Sequence, residues 1–330
     1  MLGGPVRVPL QVSYASGVAT VDTAPGVRGR ALCAAASSAS HEPLAATASR
    51  IDSWILLEYR GLWDRDVLGG SLLSPGLKAH LREQLAALGN ARLLFVKKPE
   101  RRAYGRRHLF FGTSRPGRER FFELEVDHQE DLCDFDFVAA LSGEETPGRP
   151  VEHPLLVVCT HGKRDRCCAK FGQPLYDALR RETESGQVCQ STHVGGDRFA
   201  GNVVALPHGL YYGRVEPEDV PALLEAQAAG AVHLERYRGR SSYSFPVQAA
   251  EHAIRTEDGL LGIGDLTLAG ALRLGESDWR VRFRTPDGAV HEVDVTAEPA
   301  DEPAYLTCGA AEPKRAVRYV ATARRLAGLS

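Results

Sequence analysis

The sequence has no large excess of charge of either sign. Lys and Arg number 40 against 42 Asp and Glu, so the formal net charge is -2. Proteins that hold nucleic acid through its phosphates usually present a basic field. The composition therefore argues against a nucleic-acid partner. The densest basic stretch, 97–107, lies between apolar segments and is typical of a solvated loop.

Long apolar segments are also missing. No stretch reaches the roughly 20 consecutive apolar residues that a membrane-spanning helix needs. The opening residues, MLGGPVRVPL, lack the basic start and apolar run of a secretory signal. We therefore expect a cytoplasmic protein with no membrane partner. In that reducing compartment the seven cysteines, at positions 33, 133, 159, 167, 168, 189 and 308, are not expected to form structural disulfides.

Several enzyme signatures are absent. Cys159 follows a predicted buried strand and precedes a basic loop, as in a phosphatase cradle, but that cradle needs Arg where this chain has Asp165. No glycine-rich phosphate loop or Ser-His-Asp elbow occurs. Nothing specifies the paired carboxylates of a glycosidase. The sequence thus favours neither a hydrolase nor a phosphate-binding enzyme.

The pattern of strands and helices predicts an α/β protein. The apolar run 54–57 predicts a buried strand, and Leu at 77, 81, 85 and 88 predicts a helix. Segments 108–112 and 120–126 predict a hairpin. The strand-helix-strand order returns after residue 150, which leaves open whether the chain contains two versions of one fold.

Composition shifts predict four regions. The segment 142–150, SGEETPGRP, is charged, contains Gly and Pro, and predicts a linker. The predicted regions are a flexible lead at 1–30, an N-terminal α/β domain at 31–141, a second α/β domain at 150–230, and a smaller C-terminal α+β region at 232–330. Within the last region we predict a hairpin over 279–295 and a final basic helix over 313–326.

Four of the seven cysteines fall between positions 159 and 189. Cys159 ends a predicted strand, and Cys167 and Cys168 lie at the other side of the basic loop that follows, ahead of the helix predicted over 173–184. This loop would lie at the carboxyl edge of the sheet, where open α/β folds usually bind ligands. The basic residues between the cysteines favour thiolates, which are the form that binds metal.

A second candidate segment follows. Cys189, His193 and Asp197 recur at every fourth position, with Gly195-Gly196 between the last two. The glycines predict a tight loop and not a helix. Two thiolates with an imidazole and a carboxylate would make a four-point ligand site, although the spacing is neither a CxxC pair nor a zinc-finger pattern.

Two stretches carry a family resemblance. VVCTHGKRDRCCAKFG and STHVGGDRFAGNVVALPHGLYYGRVEPEDV resemble the sucrase/ferredoxin-like family, whose characteristic half is similar to thioredoxin-like 2Fe-2S ferredoxins. The resemblance runs from about 32 to 248. It implies a thioredoxin-like ferredoxin domain at 150–230, with a 2Fe-2S cluster bound by Cys159 and Cys168 on one iron and by His193 and Asp197 on the other.

Asp197 departs from the family pattern. The family's His-x-Gly-Gly-His motif is His193-Val194-Gly195-Gly196-Asp197 here, while the position ten residues before Pro207 supports Asp197 as the occupant of the ligand site. Carboxylates are harder ligands than thiolates or imidazoles. The sequence therefore leaves open whether Asp197 binds iron, or whether Cys189 or His161 completes the site.

The resemblance implies one-electron transfer or redox sensing with an unidentified redox partner protein, and an electron carrier more than a stand-alone enzyme. A histidine ligand would raise the reduction potential and couple it to protonation, as in Rieske centres. Two alternatives stay open: a metal-free thiol-disulfide redox protein, or a binding protein that keeps the fold without the cluster.

The remaining cysteines and histidines receive lesser roles. Cys167 is interpreted as packed or as a spare thiol, and Cys189 as a strand residue. The other three cysteines are interpreted as structural or incidental; they are Cys33, Cys133 and Cys308. His161 and His208 are candidates for orienting the ligands.

Overall fold

A computed structural model describes residues 32–98, 105–143 and 146–327. The predicted lead at 1–30 and part of the basic stretch lie outside the described residues. From Leu32 onward the chain forms one unit. None of the described helices is both long and apolar enough to cross a bilayer.

The described ranges contain six α-helices and fourteen strands. The helices are α1 (Cys33–Ala39), α2 (Pro75–Leu88), α3 (Phe137–Ser142), α4 (Arg166–Glu182), α5 (Val220–Ala228) and α6 (Phe245–Asp258). The strands are β1 (Ser53–Glu58), β2 (Ala91–Lys97), β3 (Arg107–Thr113), β4 (Arg120–Val126), β5 (Arg149–Pro150), β6 (Leu155–Cys159), β7 (Val188–Ser191), β8 (Val203–Leu206), β9 (Leu210–Tyr212), β10 (Tyr237–Arg240), β11 (Thr267–Arg273), β12 (Asp278–Arg284), β13 (Val290–Pro299) and β14 (Val317–Ala327). The α/β class predicted from the sequence is confirmed.

Ten strands form one mixed sheet in the order β10-β9-β8-β6-β7-β2-β1-β3-β4-β5. β1 and β6 lie inside this sheet, and every residue of both strands is buried. Their sequences contain the continuous apolar runs WILL and LLVVC, as expected for strands covered on both faces. Two apolar cores follow from this arrangement, one on each face of the β6 region.

The large sheet contains two units of the same topology. In the first, β1 pairs in parallel with β2 across α2, and β3 and β4 follow as antiparallel strands on the other side of β1. In the second, β6, α4, β7, β8 and β9 repeat this order. A parallel strand-helix-strand unit followed by an antiparallel hairpin is the order of the thioredoxin fold.

The two units join edge to edge. β2 and β7 pair in antiparallel fashion, with Val96 opposite Ser191. The predicted linker 142–150 lies between the units, but its last residues form β5, which pairs with β4 in the same sheet. The predicted division into separate domains stays a prediction.

The C-terminal region is a four-stranded antiparallel sheet, β11-β12-β13-β14. The predicted hairpin is confirmed as β12 and β13. The predicted basic helix at 313–326 is wrong, because residues 317–327 form β14 beside β13. Its arginines meet acidic side chains of β13, such as Arg325 with Glu292 at 3.1 Å. Such cross-strand pairing overrides local propensity.

Candidate metal centre

The carboxyl end of β6 carries the first predicted ligand. Cys159 is its last residue and is 1% exposed. Gly172, inside α4, lets that helix lie directly against the strand, since a Cβ there would be 2.0 Å from the carbonyl oxygen of Cys159. Cys168 precedes Gly172 by one helical turn and therefore faces the same strand end.

The loop after β7 carries the other predicted ligands. Gly195 and Gly196 have φ of 106° and 82°, which other residues rarely adopt. Neither position has room for a side chain: a Cβ would lie 2.3 Å from Ser49 Oγ at the first and 2.3 Å from Arg238 Nη2 at the second. The loop therefore reverses tightly, as predicted, and is not a helix.

The buried side chain of Arg238 fixes this loop through hydrogen bonds. It is 1% exposed on the edge strand β10. Its Nη1 donates to the carbonyl oxygen of Gly195 at 3.1 Å and to Oδ1 of Asn202 at 2.7 Å. Burial lowers the pKa of Arg238 to about 10, so the side chain is still a cation at neutral pH. The buried charge lies beside the predicted ligands.

The four predicted ligands lie together. Nδ1 of His193 is 3.9 Å from Sγ of Cys159 and 3.7 Å from Sγ of Cys168. These three donor atoms all lie within 4.8 Å of one another. Asp197 Oδ1 is 4.0 Å from Sγ of Cys168 and 3.0 Å from Nε2 of His193. The geometry joins the two cysteines and the histidine, and places the carboxylate behind the imidazole. Which of them bind metal stays a prediction.

The electrostatics of the site favour a cation. The hydrogen bond from Cys168 lowers the pKa of the Cys159 thiol well below its usual value, and His193 acts in the same direction against the effect of burial. The same hydrogen bond, with burial, raises the pKa of Cys168. Burial also raises the pKa of Asp197. A bound metal ion would relieve this crowding of acidic groups in a buried site.

His161 is a further polar group beside the site. It is 1% exposed, and neither ring nitrogen has a hydrogen-bond partner among the described residues. Its ring packs edge-on against Trp63, with centroids 5.9 Å apart. Burial lowers the pKa of His161. The charge of Cys159 opposes this shift, and the charge of His193 adds to it. This buried imidazole thus has unused donor and acceptor capacity next to the predicted ligands.

Two other sequence candidates lie elsewhere. Cys189 belongs to β7, as predicted, and burial raises its pKa to about 12. It is absent from both groups of metal-ligating side chains found in the described residues. His208 faces Glu119, with Nδ1 and Oε1 3.8 Å apart.

Sequence reasoning missed a second group of side chains. Sγ of Cys167 lies 3.5 Å from Sγ of Cys33 and 3.4 Å from Sγ of Cys308, with Asp165 beside them. No spacing rule connects positions so far apart in the chain. The available signal was the pair of adjacent cysteines, which cannot both face one side of a helix.

A family model described as sucrase/ferredoxin-like matches residues 44–239, which is more than half of the chain. The chain belongs to the sucrase/ferredoxin-like family. The resemblance based on the cysteine loop and the His-x-Gly-Gly-Asp segment is therefore confirmed. The matched range covers every strand of the two thioredoxin-like units and all four predicted ligands of this family member.

Two curated relatives and one solved structure are similar to parts of this chain. Altered inheritance of mitochondria protein 32 from Meyerozyma guilliermondii is 36% identical over 108 residues, 30% of this chain and 38% of that protein. The protein of the same name from Eremothecium gossypii is 32% identical over 121 residues, 32% and 38% of the two chains. The matches thus span well under half of these relatives. A thioredoxin-like [2Fe-2S] ferredoxin from Aquifex aeolicus shares 20% identity with a TM-score of 0.25, covering 27% of this chain and 94% of that one.

Proposed function

We propose that this sucrase/ferredoxin-like protein binds a 2Fe-2S cluster and serves in one-electron transfer or redox sensing. The observation that carries the proposal is the convergence of Cys159, Cys168 and His193 within 4.8 Å at the end of β6. When bound, such a cluster supplies reversible one-electron exchange. The word sucrase in the family description does not enter the proposal, because nothing in the sequence specifies the paired carboxylates of a glycosidase.

The residues present fit this group. Cys159 and Cys168 come from one strand-loop-helix segment, while His193 and Asp197 come from the opposite loop, so the donors divide two and two. Thiolates and imidazoles are established ligands of 2Fe-2S centres. The unpartnered nitrogens of buried His161 add hydrogen-bonding capacity of the kind that tunes such centres.

Exposure differs among the ligands. The side chain of His193 is 19% exposed, whereas Cys159 and Cys168 are 1% and 0% exposed. His193 is therefore the ligand through which a partner would approach. The function requires a redox partner protein, either a reductase or an acceptor, and we propose that it docks over this imidazole.

Asp197 is assigned to the fourth ligand position. The register before Pro207 supports this assignment, and so does its distance of 4.0 Å from Sγ of Cys168. Its contact with Nε2 of His193 at 3.0 Å favours a different role, that of a carboxylate that orients a ligating imidazole without binding the metal. Arg238, buried below the loop, offsets the negative charge that the carboxylate adds.

Purification without oxygen tests the function. We expect brown protein with about two iron and two sulfide per chain, and an electron paramagnetic resonance signal after reduction. Cys159→Ser should be colourless, whereas Cys133→Ser, outside both groups of metal-ligating side chains, should match the wild type. Colourless wild-type protein with a titratable Cys159–Cys168 disulfide would instead support a metal-free thiol redox protein. Absence of both would support a binding protein.

Location within the cell is a separate matter. The composition predicts a cytoplasmic protein, and the name of the fungal relatives refers to inheritance of mitochondria. We propose that this protein is cytoplasmic. Fractionation of the cells that make the protein, followed by detection with an antibody, tests it.

A further inference from the structure

Three cysteines from distant parts of the chain meet in one buried triangle. Sγ of Cys33 and Sγ of Cys167 are 3.5 Å apart, Cys167 and Cys308 are 3.4 Å apart, and Cys308 and Cys33 are 3.5 Å apart. Their exposed fractions are 2%, 0% and 6% in chain order. The carboxylate oxygens of Asp165 lie 3.8 and 3.9 Å from Sγ of Cys33.

We infer that Cys33, Cys167, Cys308 and Asp165 form a structural zinc site, which is adjacent to the site at His193 through Asp165 and Asp197 and has its own thiolates. Structural zinc is bound tetrahedrally by four protein ligands, with zinc–sulfur bonds of about 2.3 Å. The edge of such a tetrahedron is about 3.8 Å, and the observed sulfur distances are a few tenths of an ångström shorter. All four donor atoms lie within 4.8 Å of one another, which suits a single ion.

The triangle is less well explained by a disulfide. A disulfide brings two sulfurs to about 2.05 Å and leaves the third thiol unpaired. Here the three distances are nearly equal, so no pair is favoured. Equal approach of three soft donors is the arrangement that one soft or borderline metal ion requires.

Asp165 is oriented as a ligand would be. Its Oδ1 accepts from the backbone N–H of Cys167 at 2.8 Å, and its Oδ2 accepts from the backbone N–H of Cys308 at 2.7 Å. The carboxylate is 4% exposed. None of the ion pairs among the described residues includes it. A buried carboxylate without a cationic partner is costly, and a bound ion would provide the missing charge.

The site would join three segments that the sheets do not join directly. Cys33 begins α1, Cys167 lies in the first turn of α4, and Cys308 lies in the segment 300–316 between β13 and β14. Long irregular connections are uncommon in compact domains unless they have a role. The ion would hold this connection and α1 against α4. The role inferred is therefore structural.

Metal analysis of the full chain tests the inference. We expect about one zinc per chain in the wild type and in Cys133→Ser. Cys33→Ser and Cys308→Ser should lose zinc affinity by more than the roughly 10- to 100-fold that changes outside the ligand shell cost. Loading with Co²⁺ in place of zinc should give the visible bands of tetrahedral thiolate coordination in the wild type and in Cys133→Ser, and not in Cys33→Ser or Cys308→Ser.

A measurement on the wild type alone covers the case in which a variant fails to fold. Alkylation followed by mass spectrometry should label the three cysteines only after a strong chelator removes the metal. Wild-type protein that binds neither zinc nor cobalt would overturn the inference, as would a disulfide within the triangle. Iron that persists in Cys159→Ser but is lost in Cys33→Ser would also overturn it. The zinc, cobalt and alkylation results do not depend on the 2Fe-2S cluster, so failure of this inference is distinguishable from failure of the proposed function.

Discussion

Two groups of cysteines lie on either side of the start of α4. Each takes one cysteine from this helix, but the two groups differ in their other members and in their exposure to solvent. Cys168 faces Cys159 and the imidazole of His193, which is 19% exposed. Cys167 faces two further thiols, and no member of that group is more than 6% exposed. A group that exchanges electrons needs a route to a partner, whereas a group that holds segments together needs none. Exposure therefore separates the two proposed roles.

The separation arises from helical geometry. Successive residues on an α-helix point about 100° apart, so Cys167 and Cys168 cannot face the same side. Asp165 caps the helix from the side of Cys167, and the contact at Gly172 places Cys168 against β6. One helix start thus supplies a ligand to each site.

Substitution of either Cys167 or Cys168 should have the largest effect on metal content. We expect Cys168→Ser to lose nearly all its iron and keep its zinc, and Cys167→Ser to lose nearly all its zinc and keep its iron, because each thiol contacts only its own group. Elemental analysis of the two purified variants measures both metals at once. Loss of both metals from both variants, with native circular dichroism, would show that the two groups form one site.

Gly172→Ala should have the next largest effect. A Cβ would meet the Cys159 carbonyl oxygen at 2.0 Å, so α4 would have to move away from β6. Overpacking of this kind costs about 1–3 kcal/mol, and the iron content should fall because Cys168 moves with the helix. Denaturant unfolding and iron analysis measure the two consequences.

Gly76→Ala is the matched control, since it is also a helical glycine, and a Cβ there meets nothing within 4 Å. It should leave the iron content unchanged and should stabilise the chain by up to about 1 kcal/mol. If Gly172→Ala behaved like Gly76→Ala, close packing of α4 on β6 would not be what positions Cys168.

Substitution of Asp197 should have an intermediate effect. Asp197→His restores the family's motif and should retain iron with a higher reduction potential, because it replaces a negative ligand by a neutral one. Asp197→Asn should lower the iron affinity, by about 10-fold or more if the carboxylate ligates. Redox titration and iron analysis measure these changes. Unchanged iron content and potential in Asp197→Asn would exclude Asp197 as a ligand.

Much of the first site was predictable and the second was not, for a physical reason. Cys159 and Cys168 lie on either side of one strand-helix turn, and Gly195-Gly196 predicts a tight loop, so local rules place these groups. Cys33 and Cys308 reach Cys167 across separations of 134 and 141 residues. Only the packing of α1 and of the segment 300–316 brings them there. Local patterns do not specify such contacts.

The two thioredoxin-like units show the same limit. Their strands follow one order, yet β6 ends in Cys159 while β1 ends in Glu58, which pairs with Arg60 at 3.0 Å. Apolar runs predicted β1, β3 and β4 of the first unit and β6 of the second. They could not predict that the edges of the two units would join through β2 and β7, nor that Arg238, from the edge strand β10, would hold the His-x-Gly-Gly-Asp loop. The C-terminal strand β14 was predicted as a helix because its partner strand is not visible in local sequence.

The smallest effect is expected at Thr47, which supports the first site from outside it. Its Oγ1 accepts from Nε of Arg238 at 3.0 Å, and Arg238 in turn holds the loop at Gly195. Thr47→Val removes this bond and the one that Oγ1 donates to the carbonyl oxygen of Leu44 at 2.6 Å, at a cost of about 0.5–1.5 kcal/mol for each bond. We expect full iron content but faster loss of iron to a chelator, with zinc unchanged. Thr183→Val is the control, because among the described residues its Oγ1 bonds to the carbonyl oxygen of Leu179 alone, at the far end of α4. Equal rates of iron loss in the two variants would show that the bond from Arg238 to Thr47 Oγ1 does not stabilise the first site, and would leave exposure as the main difference between the two groups of cysteines.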